Sequence, residues 1–201
     1  MENLVKVREQ IYNYFHSNES CQNFFFDDAQ EEKYAAYYTS MYLLMDTTES
    51  LFVHRQKGFS EDPHEAYIEF WGIMQAIIIQ QDSIRELHEA VTESELDTRQ
   101  LPSWQKLRAL RNTCAGHPAK RAQPKSKPLT RTFMGRNFGG YSSLTYEKWE
   151  KPKSKSSSKF PLENISHPHV KLGNLIDDYE KEASDIMSKI LKFMESEWPN
   201  T

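Results

Sequence analysis

Asp62-Pro63-His64-Glu65-Ala66-Tyr67-Ile68-Glu69-Phe70-Trp71-Gly72-Ile73-Met74-Gln75-Ala76-Ile77-Ile78 is the stretch whose reading decides the fold. Asp followed by Pro marks a helix start. The carboxylate accepts from free N–H groups of the first turn, and proline lacks only a donor that has no helical partner there. Ala66, Tyr67, Phe70, Trp71, Ile73, Met74, Ile77 and Ile78, continued by Gln81, Ile84, Leu87, His88 and Val91, recur at steps of three and four residues. That spacing predicts one long helix with an apolar stripe turned to a core. The polar step Gln80-Gln81-Asp82 interrupts the run. It reads as a solvated turn of helix; the other reading is a polar cluster facing a functional site.

Outward from there, Tyr34, Tyr37, Tyr38, Met41, Tyr42, Leu44, Met45, Thr48, Leu51 and Phe52 predict a helix from about Ala29 to His54 or a little beyond, stopped by Gly58. Two such helices on a short linker should lie antiparallel. Tyr34, Tyr37, Tyr38 and Tyr42 read as core or dimer face. Residues 1–17 form a first amphipathic helix, Cys21 to Phe26 packs under a loop, and Thr92 to Thr98 is an acidic loop. Leu101-Pro102-Ser103 opens a fourth helix with Trp104, Leu107, Leu110 and Cys114 on its buried stripe and Arg108, Arg111 and Ala115 beside it. Residues 119–129 read as an extended basic linker. The β-prone runs 130–136 and 141–149 flank Gly139-Gly140 and predict a hairpin that must pack on the bundle. Lys151 to Lys159 is Lys/Ser-rich and reads as mobile. A last helix spans about 168–198, with Leu172, Ile176, Tyr179, Ala183, Ile186, Met187 and Ile190 on its stripe. The expected fold is all-α: an up-down helical bundle of about five helices with one inserted β-hairpin, a single domain over 1–201.

Composition narrows the class. Nothing approaches a run of 18 apolar residues, so no membrane span is expected. No basic region precedes an apolar core at the N-terminus, so no secretory signal is expected. Cys21 and Cys114 are far apart and lack CxxC spacing, which points to a reduced cytoplasmic protein without structural zinc. Net charge is −4, but residues 120–160 carry eleven Lys and Arg against two acids, +9 locally, leaving −13 elsewhere. A basic block of this kind is the footprint of a polyanion partner.

The chemistry concentrates at Arg111-Asn112-Thr113-Cys114-Ala115-Gly116-His117-Pro118, just ahead of that block. Arg is a permanent cation with a fork of donors suited to phosphate, and His exchanges a proton near neutral pH. On an ideal helix six residues turn through about 600°, so Arg111 and His117 would sit roughly a third of a turn apart. Either the helix distorts at Gly116, or the two groups meet through a second copy of the motif, which predicts a homodimer.

Arg111, Asn112 and His117 resemble the motif of the HEPN superfamily (higher eukaryotes and prokaryotes nucleotide-binding): an Arg, then Asn, Asp or His, a few residues, then His, ending a helix of a helical chain. Leu110-Arg111-Asn112 and Gly116-His117-Pro118 are similar to bacterial members with a hairpin after the motif. Pro118 departs from the polar-Tyr ending of some toxin members. The resemblance implies metal-independent endoribonuclease activity at a dimer interface, in toxin–antitoxin or antiviral defence systems, with no cofactor. His117 would be general base on a ribose 2′-OH, Arg111 would stabilise the phosphoryl oxygens, and Asn112 would orient His117 or contact the phosphate. The resemblance equally implies a second class, a non-catalytic RNA- or protein-binding module of a defence or regulatory operon.

Arg108, Lys120, Arg121, Arg131 and Arg136 are the candidate RNA-binding cations. In the hairpin, Arg131, Arg136 and Lys148 alternate with Phe133, Phe138, Tyr141, Tyr146 and Trp149, which suits single-stranded RNA. His167-Pro168-His169 has metal-like spacing but no neighbouring Cys or acid to complete a ligand set, and reads as a pre-helix turn.

Overall fold

The computed structural model describes residues 2–116, 119, 129–151 and 164–199. Its helices are α1 (Glu2–Ser17), α2 (Glu19–Phe25), α3 (Glu31–Lys57), α4 (Pro63–Thr92), α5 (Pro102–Arg111) and α6 (Leu172–Glu197). Asp62 caps α4 as its chemistry requires, accepting from His64 N at 2.8 Å and Glu65 N at 3.1 Å. Gly58 ends α3 with φ +79°, a conformation in which a side chain would be strained. Antiparallel packing of α3 on α4 is visible in three side-chain links, Lys57–Glu69, Thr48–Gln80 and Lys33–Glu93, whose numbers fall along one helix as they rise along the other.

The additional helix is α2. Asn18 caps it by accepting from Cys21 N at 2.8 Å. Phe25 is buried against Phe15, Tyr37 and Trp198. What reads as an aromatic stretch under a loop is thus a short capped helix, held by residues from both ends of the described chain.

α6 is the organising helix. It packs against α1, α4 and α5, burying Ile176, Tyr179, Ala183, Met187, Ile190 and Met194. It also fixes α5 from its N-terminus. α5 has no capping side chain of its own. Instead the Glu182 carboxylate accepts from Ser103 N at 2.9 Å and Trp104 N at 2.8 Å, placing an anion at the positive end of the helix. Below it Trp104 meets Tyr179 edge-on, ring centroids 5.7 Å apart.

Two expectations within α4 are corrected. Trp71 does not join the core; it is 46% exposed. Gln80 and Gln81 are not solvated but completely buried. Gln80 donates to Thr48 Oγ1 at 2.8 Å, and Gln81 donates to the Trp104 carbonyl at 3.1 Å. Such partners make a buried amide tolerable, though Gln80 is paired through its N–H alone, its Oε1 having no partner among the described residues. The tyrosine stripe of α3 divides: Tyr37 is core, whereas Tyr38 and Tyr42 are about half exposed.

The insertion is more than one hairpin. β1 (Thr130–Phe133) pairs antiparallel with β3 (Glu147–Glu150), as expected, with Thr130 opposite Glu150 and Phe133 opposite Glu147. A third strand, β4 (Ile165–Ser166), adds to β3, and β2 (Leu144–Thr145) pairs with β5 (His169–Val170) in a second small sheet. The segment before α6, read as a turn, therefore supplies two strands. His169 Nδ1 lies 3.0 Å from Thr145 Oγ1. Gly139 (φ +83°) is obligatory, since a Cβ there would come within 1.9 Å of the Ser143 carbonyl oxygen. The 134–146 segment is anchored on the α3–α4 bend. Phe138 is buried against Phe59, Tyr67 and Phe70, and Tyr141 OH lies 2.7 Å from His54 Nδ1. Among the described residues no helix is long and apolar enough to cross a membrane.

Candidate functional site

Arg108 and Arg111 lie one turn apart on α5, along its seam with α4. Their surroundings differ sharply. Arg108 donates from Nε to Gln81 Oε1 at 3.1 Å and pairs through Nη2 with the Asp82 carboxylate. Its charge is balanced within the chain, and through Gln81 it is tied to the Trp104 carbonyl. Arg108, Gln81 and Asp82 make a structural bolt between the helices.

Arg111 is half-buried and has neutral partners. Nη2 donates to Gln75 Oε1 at 3.0 Å, and Nη1 donates to Asn112 Oδ1 at 3.3 Å. Among the described residues no carboxylate pairs with it. Two amide oxygens orient the guanidinium without cancelling its charge. A partly desolvated cation left in this state gains from an anion brought to it.

Beyond Arg111 the helix changes. Residues Asn112–Gly116 form a π-helical turn, in which an N–H bonds five residues back instead of four. The wider turn carries the backbone at Gly116 directly over the Arg111 side chain. A Cβ at 116 would stand 2.9 Å from Arg111 Nη1. The distortion expected at Gly116 thus begins earlier, at Asn112, and it closes the chain over the cation. Cys114, at the centre of the turn, is buried, and burial pushes its thiol up to about 12. Thr132 of β1 donates its hydroxyl to the Thr113 carbonyl, docking the sheet on this turn.

That docking directs alternate residues of β1 outward. Thr130 and Thr132 are buried; Arg131 and Phe133 are exposed, Phe133 by 59%. Arg131 lies over the Trp149 ring at 5.3 Å. Arg136 is exposed in the following loop. The expected pair Arg111 and Asn112 is therefore in contact, Arg131 and Arg136 lie on the insertion, and Arg108 is engaged with Asp82. His117, Lys120 and Arg121 lie outside the described residues, as do residues 120–128 of the basic linker and residues 152–160 of the Lys/Ser-rich segment.

Sequence reasoning missed Gln75, the residue that holds Arg111. A glutamine within an apolar run carries no signal beyond its own polarity. Gln81 and Asp82 had a signal in the polar step of α4, whose side chains bond across to α5. Comparison of the chain with protein-family models, with curated proteins and with solved structures gave no match.

Proposed function

We propose that this chain is a metal-independent endoribonuclease of HEPN type, acting as a homodimer in a toxin–antitoxin or antiviral defence setting. The observation that supports this most is the state of Arg111: half-buried, oriented by two amide oxygens and, among the described residues, paired with no carboxylate. In this reading the scissile phosphate takes up that charge. His117 removes the proton of the ribose 2′-OH, and the 2′-oxygen attacks the adjacent phosphorus. Arg111 stabilises the negative charge growing on the phosphoryl oxygens. The P–O5′ bond breaks, the leaving oxygen takes a proton from the partner subunit's His117, and the products are a 2′,3′-cyclic phosphate and a 5′-OH end. Asn112, whose Oδ1 accepts from Arg111, acts here by holding the guanidinium in place.

The test is cleavage of RNA in EDTA with end-group analysis. Cyclic-phosphate ends are expected, with Arg111→Ala losing roughly 100- to 1,000-fold in kcat, the scale for removing one preorganised donor to a developing oxyanion, and with His117→Ala inactive. Folded protein that leaves diverse RNAs intact with and without divalent ions overturns the proposal. The exposed face of β1, where Arg131 covers Trp149 next to Phe133, favours a second reading: a non-catalytic RNA- or protein-binding module. RNA binding that weakens steeply with salt and is indifferent to His117→Ala would identify it.

A further inference from the structure

One turn of α4 beside Arg111 carries a ring outside the core, whose ring partner among the described residues is Tyr67, met edge-on at 5.8 Å. Trp71 is 46% exposed, whereas Trp104 and Trp198 are 1% and 9% exposed. Trp71 lies four residues before Gln75, so the two share a face of α4 and stand one turn apart. Side chains on a helix lean toward its N-terminus. The Gln75 amide, with the Arg111 guanidinium donating to it at 3.0 Å, therefore overhangs the turn that holds Trp71 and Gly72. Gly72 contributes no side chain, and a Cβ there would meet nothing within 4 Å. Among the described residues the space over Gly72, next to the ring, is open.

Charge selects the occupant. From Phe70 to Gln81 α4 carries no charged residue, so α4 presents no carboxylate to repel an anion along this turn. The groove between α3 and α4 is the opposite case, rimmed by Glu32, Glu86, Glu89 and Glu93. A cation held by amide oxygens with an indole one turn away matches a phosphate and the base attached to it. Trp is also the ring that binds best through its face, and stacking tolerates any base.

We propose that Trp71 is the stacking platform for the base next to the phosphate bound by Arg111, and that the substrate class is therefore unpaired, single-stranded RNA. The inference rests on the reading of Arg111 as the phosphate ligand. A base inside a duplex has both faces covered by its neighbours; an unpaired one can swing onto the ring.

The experiment uses the full chain and a fluorescein-labelled 2′-O-methyl RNA of about 12 nucleotides, which cannot be cut, single-stranded or annealed to its complement. Wild type should prefer the single strand, and binding should quench tryptophan emission. Trp71→Leu should weaken single-strand binding roughly tenfold or more, while Trp71→Phe, which keeps a π face, retains most of it. Both variants should keep the wild-type circular dichroism, since the residue lies at the surface. Trp71→Leu binding as tightly as wild type, with Arg111→Ala still defective, overturns the stacking role and leaves the Arg111 reading standing. Wild type and Arg111→Ala binding alike overturns both. A Trp71→Leu variant that turns a dimer into a monomer overturns it by assigning the ring to contact between copies.

Discussion

Gly116→Ala separates the place of the Arg111 guanidinium from the stability of the fold. A methyl group at 116 would stand 2.9 Å from Nη1 and 3.5 Å from both Cζ and the Arg111 carbonyl oxygen. The closest of these is the free end of a flexible side chain. Restoring an ordinary contact requires the guanidinium to retreat by about 0.5 Å. Nη1 is the atom that donates to Asn112 Oδ1 at 3.3 Å, so a retreat of that size carries the bond past the range of a useful hydrogen bond. Its loss costs about 1 kcal/mol. Alanine in place of glycine in helical backbone returns about 0.5–1 kcal/mol, and the two nearly cancel. The melting temperature should therefore move by no more than about 3 °C. Function should not be spared: a 1 Å misplacement of a positioned group costs on the order of 100-fold, so a retreat of about 0.5 Å should cost roughly 10-fold. Melting curves paired with single-turnover RNA cleavage in EDTA make the test. Unchanged melting with undiminished cleavage refutes the reasoning that Gly116 protects the position of Arg111. A collapse in melting temperature refutes it differently, by showing that the methyl presses on the backbone carbonyl and not on the side chain.

Gln81→Leu should lower stability by about 2–3 kcal/mol, because it removes a buried donor to Trp104 O and strands Arg108 Nε; an unchanged urea midpoint would show that the bolt between α4 and α5 is dispensable. Asp62→Ala should destabilise α4. The Asp62 carboxyl is held below its ordinary range by hydrogen bonds from the Glu65 and His64 amides, so its contribution is present above the usual carboxylate pKa and fades as pH falls through the depressed one. The stability curves of wild type and variant should converge in acid, and parallel curves down to the acid limit would contradict this. Burial pushes the Cys21 and Cys114 thiols up to about 12, so neither should react with a thiol reagent at pH 8 until the chain is denatured. The same shift has a stability consequence. Unfolded thiols ionise from about pH 8.5 while the buried ones stay protonated, so their contribution is intact below that pH and is lost as pH rises toward 12. A melting temperature flat across pH 9 to 12 would contradict it.

Where local chemistry decides a structure, the chain could be read directly. Asp62-Pro63 and the apolar stripe behind it specify α4 because cap, proline and periodicity agree. Gly58 stops α3 because only glycine takes that conformation cheaply. The unread parts depend on distant partners. α2 is too short to be stable alone and exists because Asn18 caps it and Phe25 finds Trp198. β4 and β5 are two-residue strands, created by β3 and β2 rather than by their own sequence. Trp71 sits at stripe spacing, yet no described element covers that side of α4, and periodicity cannot report which neighbours a face will meet. Gln81 looks like a surface residue because its partners, Trp104 O and Arg108, come from another helix. At the site, Arg111 and Asn112 stood out as a motif, but the π-helical turn and Gln75, which decide where the guanidinium goes, had no signature in the residues themselves.

The capping of α5 by Glu182 has a consequence for the order of synthesis. α5 is a ten-residue helix, too short to persist on its own in water. Its first turn is completed by a carboxylate from α6, and Trp104 is covered by Tyr179 of the same helix. A ribosome makes α6 after everything that bears Arg111. While the chain is emerging, α5 can meet α4 through Gln75, Gln81 and Asp82, but it lacks its anion and its indole lacks its cover. The helix that carries Arg111 is therefore complete only once α6 has left the exit tunnel and closed on it.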